Sequence, residues 1–546
     1  MLKNLLLVCL CSLLLPVTLL AQAPEITRSK PFDEPDDGAS RLLLMKNGNT
    51  LFFHFTAKKG VDVVVYDKKH HASSTVNSRI RSWKAKKTKN ASLAGLYEMN
   101  GEGVVFIKQA IHRKTCLFRL IFDGKTGKLV KEEMISDLPD SQVRKDPNSE
   151  YYAVAGFSSL ERGSNEMIKV THYSPDHKEI NEASYESPNG GFKYMEFKGM
   201  YVHQDQFVFI ATFAHNTKTS GKDSRILISR IAKGAKAFEH KLLDYTDDYK
   251  EPMVALKYNS ANKNLYLLAA INAKSAGRPY TMYTTNENLV LQMSVIDPFA
   301  LAVSKKYFVD HPLLSDYAKE HLKYKKPYYG VIQDFRINED NSITLMYEEL
   351  EAKTEYYTST TYINGRPSTS NRTSYSTRFG DIGIVRLDDD GKETPGSYAI
   401  AKSQHTGSLL RPYFIYRRPQ TDWNFRRLFF KTGAYNEGFL SYDYMFVNNV
   451  GYSIFNDVPV NVSDSTENYR KKKTMVAVSA VNTVIAYCDG DKVKKTFLFG
   501  DPGRKDEARF SLLEINAHSD DNKSLATLMI ERKGNDKKAY IVWITF

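Results

Sequence analysis

Beyond the first few dozen residues, the apolar positions fall in short runs rich in Val, Ile, Tyr and Phe, cut by Asn, Asp, Gly and Lys. Runs such as "QFVFIATF", "LYLLAAI", "ITLMYEE" and "AYIVWITF" have the length and residue types of strands. Only "LLSDYAKEHLKY", Leu313 to Tyr324, has the spacing of an amphipathic helix. The pattern therefore predicts an all-β chain.

The strands come in groups that resemble one another. "GLYEMNGEGVVFIKQA" reads as strand, Asn-Gly turn, strand, and "KTCLFRLIFDGKTGKLVKEEMI" continues it as a second hairpin. "GVIQDFRINEDNSITLMYEE" and "GDIGIVRLDDDGKETPGSYAI" repeat that order. Counting the second strand of each group places repeats near Leu51, Val104, Tyr151, Phe207, Leu265, Ile343, Gly451 and Ser524. This spacing suits four-stranded antiparallel blades around an axis, a β-propeller. Eight blades are expected, with seven the alternative because the third and seventh groups are ragged. The last group ends at Phe546 after three strands, and the N-terminal "EITRSKPF" is expected to supply the fourth. Pairing the chain ends in this way closes the ring and removes an exposed edge.

The hairpin phrases "IFDGKTGKL" and "DIGIVRLDDDGKE" resemble those of secreted bacterial β-propeller proteins. The resemblance covers nearly all of the chain after the leader and implies an architecture. The Trp-Asp ending of the WD type and a regular aspartate-box series of the sialidase type are absent, so no relative's activity is implied.

The N-terminus changes the picture. "MLKNLLLVCLCSLLLPVTLLAQA" carries one lysine, an apolar run from Leu5 to Leu20 and an A-x-A motif, which predicts a signal peptide over 1–23 cleaved after Ala23. Residues 24–546 are then expected to form a single propeller domain with loop insertions near 354–380 and 403–432, exported to the periplasm or the extracellular space. No later apolar run reaches transmembrane length. After cleavage only Cys116 and Cys488 remain, too few to frame so large a chain; two unpaired thiols are expected in preference to one long-range bridge. Lys and Arg number 76 against 63 Asp and Glu; losing Lys3 with the leader leaves 75 against 63, a net +12. A basic exported protein is suited to anionic envelope polymers or headgroups. Nucleic acid is not expected as a partner, because no nucleic-acid motif accompanies the charge.

The run "RLDDDGKETPG", Arg386 to Gly396, invites comparison with a calcium loop. With Gly391 at the sixth position, Arg386 falls at the first and Ser397 at the twelfth, and neither is the acid such a loop requires. "FDGKTGK", "YSPDHKE" and "CDGDKVKK" fall at equivalent places, so "DDDG" is expected to be a hairpin tip. "GKTGK" around Thr126 lacks the spacing and following helix of a P-loop. No G-x-S-x-G elbow or H-E-x-x-H helix occurs. His70-His71, adjacent on the chain, is expected in a solvated turn. No metal and no cofactor is expected, and no catalytic residue can be named.

Two insertions carry the candidate chemistry. Thr354 to Gly380 is rich in Ser, Thr, Tyr and Asn and reads as a long projecting loop or extended hairpin. Arg411 to Phe430 concentrates Arg411, Tyr413, Tyr416, Arg417, Arg418, Trp423, Arg426 and Arg427. Arginine offers forked donors to carboxylate or phosphate, and aromatic faces accept sugar rings or cations. The structural alternative packs Tyr413, Phe425 and Phe429 between blades and pairs the arginines with neighbouring acids. The expected function is a binding or scaffold protein of the bacterial envelope that engages an anionic glycan, a peptide or a protein partner. The alternative is a hydrolase or lyase acting on polysaccharide or peptide in the central pocket.

Overall fold

The computed structural model describes residues 23–546 apart from 36–37, 57–59, 82–90, 112–113, 159–167, 189–190, 217–223, 244–252, 273–288, 408–422, 425–441, 464–480 and the single positions 339, 404 and 505. The chain forms eight antiparallel sheets, each built on four strands. Their second strands are Thr50–Thr56, Glu102–Ile111, Tyr152–Phe157, Phe207–His215, Asn264–Asn272, Ile343–Ile363, Val450–Asp457 and Ser524–Lys533. Every repeat placed from the sequence is thus a blade, and the chain is an eight-bladed β-propeller. Blades follow one another in chain order, and first strands touch first strands of neighbouring blades. The first strands therefore surround the axis and the fourth form the rim.

The ring closes as expected. Glu25–Arg28 pairs with Asp536–Thr545, matching Glu25 to Thr545 and Arg28 to Val542, and Phe32 bridges Ala539 beyond it. The eighth blade thereby gains its rim strand from the other end of the chain.

The packing explains why the second strands read as nearly unbroken apolar runs. Eight apolar clusters lie between successive blades, one in each gap. In blade 5, Leu265, Leu267 and Ala269 enter the cluster shared with blade 4, while Tyr266 and Leu268 enter the one shared with blade 6. Side chains on a strand alternate between faces, and here both faces are buried. The rim strand Lys492–Phe497 instead alternates exposed and half-buried positions, since one of its faces meets water. Helix Pro312–Leu322, the amphipathic segment foreseen, buries Leu314, Ala318 and Leu322 against blade 6. Cys116 and Cys488 are both free, and burial pushes the Cys488 thiol up to about 11. The apolar clusters hold the ring without disulfide help.

The acidic run proves to be a turn. The Gly391 amide donates to the Asp388 carbonyl at 3.0 Å, and Asp388 Oδ1 accepts from the amides of Asp390 and Lys392. Lys305 of blade 5 pairs with Asp389 and Asp390 at 3.1 and 2.9 Å, which spends the acidic charge on an inter-blade tie. Gly391 has φ +80°, and a Cβ there would lie 2.2 Å from the Tyr307 ring. "GKTGK" is the equivalent turn of blade 2, with Asp123 Oδ1 accepting from the amides of Lys125 and Thr126 and from the Thr126 hydroxyl. The two adjacent histidines diverge. His71 is exposed beside Asp67, whereas the His70 ring, at φ +65°, is half-buried and stacks on Trp543 with centroids 3.8 Å apart. A turn in the left-handed region aims the His70 imidazole at the neighbouring blade, which a strand's alternation does not anticipate.

Blade 3 carries an acid-sensitive element. His172 is 2% exposed, and its Nε2–H donates to the Gln204 carbonyl of blade 4 at 2.8 Å. Burial disfavours the imidazolium and holds its pKa at about 4, despite the carbonyl and Asp205. His177 is held at about 4 by burial and then by the Arg119 guanidinium. Unfolded, both would titrate near the ordinary 6.5. The unfolded chain therefore binds more protons between these values, so stability is full above pH 6.5 and falls as the pH drops towards 4. The cost is at most about 3 kcal/mol for His172. Urea midpoints at pH 7 and pH 4.5 should show this loss, and His172→Gln should shrink the difference between them.

Candidate functional site

The ring has two faces. One carries the turns from first to second strand, such as Asn100-Gly101, and those from third to fourth, such as Asp388–Gly391. The other carries the second-to-third connections and the passages between blades. Both insertions belong to this second face, since 354–380 joins the second and third strands of blade 6 and 403–432 joins blade 6 to blade 7.

The first insertion is an extended hairpin. Ile343–Ile363 and Arg366–Leu387 stay paired to the Asn364-Gly365 turn, where both residues have positive φ. Asn-Gly is the sequence a tight two-residue turn of this hand prefers. The inner part of each strand belongs to blade 6, and a register shift between Glu348 and Leu350 marks where the ribbon leaves the sheet.

The root of the ribbon is a buried polar network. Lys402 and Glu348, 1% and 0% exposed in their side chains, form an ion pair. Gln333 also donates to Glu348 at 3.2 Å. Asp381 accepts from the Lys402 amide at 2.9 Å and the Tyr324 hydroxyl at 3.0 Å, and its carbonyl accepts from the Tyr328 hydroxyl at 2.8 Å. Burial raises the Tyr328 phenol well above its ordinary value, and neighbouring carboxylates add to this, so it remains a donor. On the side of blade 7, the Ser403 amide reaches Asp457, and Lys495 donates to the Ala401 carbonyl. The second insertion thus departs from a segment tied to both flanking blades.

Two stretches of that insertion are described. His405–Gly407 pairs with Thr377–Phe379 at the base of the ribbon. By Trp423–Asn424 the backbone pairs with Leu93 and Ser92, the start of the first strand of blade 2. In an eight-membered ring blade 2 stands opposite blade 6, and the start of its first strand lies on the insertion-bearing face. These two described stretches therefore stand at opposite sides of one face. Arg411, Tyr413, Tyr416, Arg417, Arg418, Arg426 and Arg427 lie outside the described residues, and of Trp423 only the backbone pairing is described.

Around the axis, several ionisable groups of the first strands are engaged. Lys257 of blade 5 meets Asp334 of blade 6 at 2.8 Å, and Asp443 of blade 7 accepts from Asn516 and pairs with His518 of blade 8. Glu196 receives Lys198 at 2.8 Å and His215 at 3.3 Å. Burial works against its charge, but these partners prevail and hold the carboxyl at about 2. Such groups order the ring by complementary charge; a general acid would instead need a carboxyl kept protonated near neutral pH. Elsewhere, a groove of about 450 Å³ lies between blade 1 and the N-terminal segment, with Phe32, Phe52 and Tyr66 at its floor and His54, Asp62 and His70 among its polar lining.

Sequence reasoning located the two insertions but not the network that roots them. The signal was present as a lysine in "YAIAKS" and a glutamate in "LMYEEL", charges embedded in apolar runs. Only the fold brings them together, 54 residues apart.

No family model matches the chain, and no curated protein matches it in sequence. Among solved structures, the Dos1 propeller is similar over 96% of this chain and 97% of its own, at 9% identity and a TM-score of 0.42. The quinohemoprotein alcohol dehydrogenase of Comamonas testosteroni is similar over 95% and 76%, at 8% identity and 0.41. The polysaccharide lyase Uly1 is similar over 83% and 89%, at 9% identity and 0.34. Likeness at this level is likeness of fold, and a propeller supports binding, scaffolding or catalysis. What this chain does has to be read from its own residues.

Proposed function

We propose that this chain is an exported binding or scaffold protein of the bacterial envelope, and that its recognition surface is the insertion-bearing face of the ring. One observation carries the reading: the two insertions rise from the same face, the second leaving blade 6 paired to the base of the first and reaching the opposite blade by Trp423. Long excursions on a rigid scaffold are where recognition is usually placed. The engaged charges around the axis weigh towards binding over hydrolysis or lysis there. Export rests on the leader Met1–Ala23, and no helix among the described residues is long and apolar enough to cross a membrane.

In this reading Arg411, Arg417, Arg418, Arg426 and Arg427 supply forked donors to an anionic glycan, a peptide terminus or an acidic protein partner, while Tyr413, Tyr416 and Trp423 supply flat faces. The test is affinity capture from envelope extract with the chain from Pro24 onward, comparing wild type with an Arg417→Ala/Arg418→Ala/Trp423→Ala variant of unchanged circular dichroism. Wild type should retain a partner that the variant loses, and the retention should weaken with salt as surface charge pairing does. Equal retention by both, or none by either, would remove these residues from any binding role.

A further inference from the structure

The ribbon of blade 6 has two chemically distinct faces. From Leu350↔Phe379 to Ile363↔Arg366 its strands keep one uninterrupted register, and directly paired residues share a face. Alternate rows therefore separate the residue types. One set contains Glu351, Lys353, Glu355, Arg366, Arg372 and Arg378, which are all the charges of this stretch. The other set, from Leu350↔Phe379 to Tyr362↔Pro367, contains none. Towards the tip this uncharged face presents Tyr356 and Tyr362, 81% and 74% exposed. Between them lie two rows, Thr358 with Asn371 and Thr360 with Thr369, whose side chains meet at 3.1 and 3.5 Å.

We propose that this uncharged face binds a neutral linear polysaccharide, with the Tyr356 and Tyr362 rings stacking on sugar faces and the threonine and asparagine rows bonding sugar hydroxyls. The proposal deepens the binding reading above, on which it rests, by assigning a second ligand chemistry to the same side of the ring. Charge decides first: anionic polymers are held by Lys and Arg, which this face lacks. Shape decides next. A protein partner seeks a pocket for a buried anchor, and a single layer of two strands gives little depth for one. Area speaks against a second copy, since a face of seven rows and two strands covers about 450 Å², so two such faces bury about 900 Å², short of the ~1,000 Å² a specific interface needs. The two tyrosines are six residues apart on one strand, about 20 Å, so both are engaged only by an extended chain. A sugar polymer is itself a ribbon with apolar faces and hydroxyl edges.

The experiment is calorimetry and affinity electrophoresis of the chain from Pro24 onward against β-1,4-linked hexamers of glucose and of N-acetylglucosamine, an uncharged α-glucan, and polygalacturonate as the anionic comparison. Wild type should bind at least one neutral probe, and Tyr356→Ala/Tyr362→Ala should weaken that binding about tenfold or more with an unchanged urea midpoint. Arg366→Ala/Arg372→Ala, on the other face, should leave it intact. Absence of neutral binding by wild type, equal binding by the tyrosine variant, or loss confined to the arginine variant would overturn the proposal. Polygalacturonate binding lost only in the Arg417→Ala/Arg418→Ala/Trp423→Ala variant reports on the other insertion, so the two readings fail separately.

Discussion

Lys402→Met should lower the stability of the protein by about 3–5 kcal/mol, because it leaves the Glu348 carboxylate buried without its cation. Both side chains are almost wholly out of water, where a charge is retained only by partners at hand. The measurement is the urea midpoint, and Lys402→Met/Glu348→Leu should recover most of the loss, since removing both charges costs far less than stranding one. A second readout tests the role of the pair as a root. Amide exchange at His405–Gly407 and Thr377–Phe379 should accelerate in the single variant beyond that of strands in blade 4, because those pairs sit at the segment Lys402 holds. A loss under about 1 kcal/mol, the range of an exposed pair, would mean that the two groups are not buried together.

Trp543→Ala should cost a similar 3–5 kcal/mol, the range for emptying a large aromatic from a packed core. Trp543 lies on the third strand of blade 8, in the cluster shared with blade 1. Its indole N–H donates to Thr50 Oγ1 at 2.9 Å, Tyr66 meets it edge-on at 5.4 Å, and His70 stacks on it while hydrogen bonding Thr27 at 2.9 Å. These contacts bind blade 1, blade 8 and the N-terminal strand at the seam where the ring closes. Loss should therefore show first in the closure: limited proteolysis should cut near Arg28 and Lys30 in the variant at urea concentrations where wild type resists. His70→Ala, which removes one stacking partner and leaves the indole in place, should cost about 1 kcal/mol. If Trp543→Ala leaves proteolysis at Arg28 unchanged, the seam is held elsewhere.

Much of the fold was legible because a blade is a local object. Each hairpin joins neighbouring segments, and tight turns have residue preferences that survive as Asn100-Gly101 or Asp388–Gly391. Even the long-range closure was legible, since a group one strand short at Phe546 and a lone strand at Glu25 complete each other. The candidate site was legible only as composition. Arg411 to Arg427 drew attention as an arginine and aromatic cluster, but the segment reads the same whether it packs or binds. The opposite outcomes of His70 and His71 were not legible at all, because they depend on one positive φ and on which ring stands across the gap.

The sequence by itself determined the all-β class, the eight repeats, the closing strand and the turn nature of the acidic run, since each follows from local periodicity and turn chemistry. Tertiary structure decided which groups of distant sequence share a place: Lys402 with Glu348, Trp543 with His70, and both insertions on one face with Trp423 paired to the opposite blade. It also decided that the charges of the ribbon all gather on one face, because that depends on the register in which two strands meet. A hydrophobic period records whether a position is buried, whereas the identity of its partner is set by the closing of the ring.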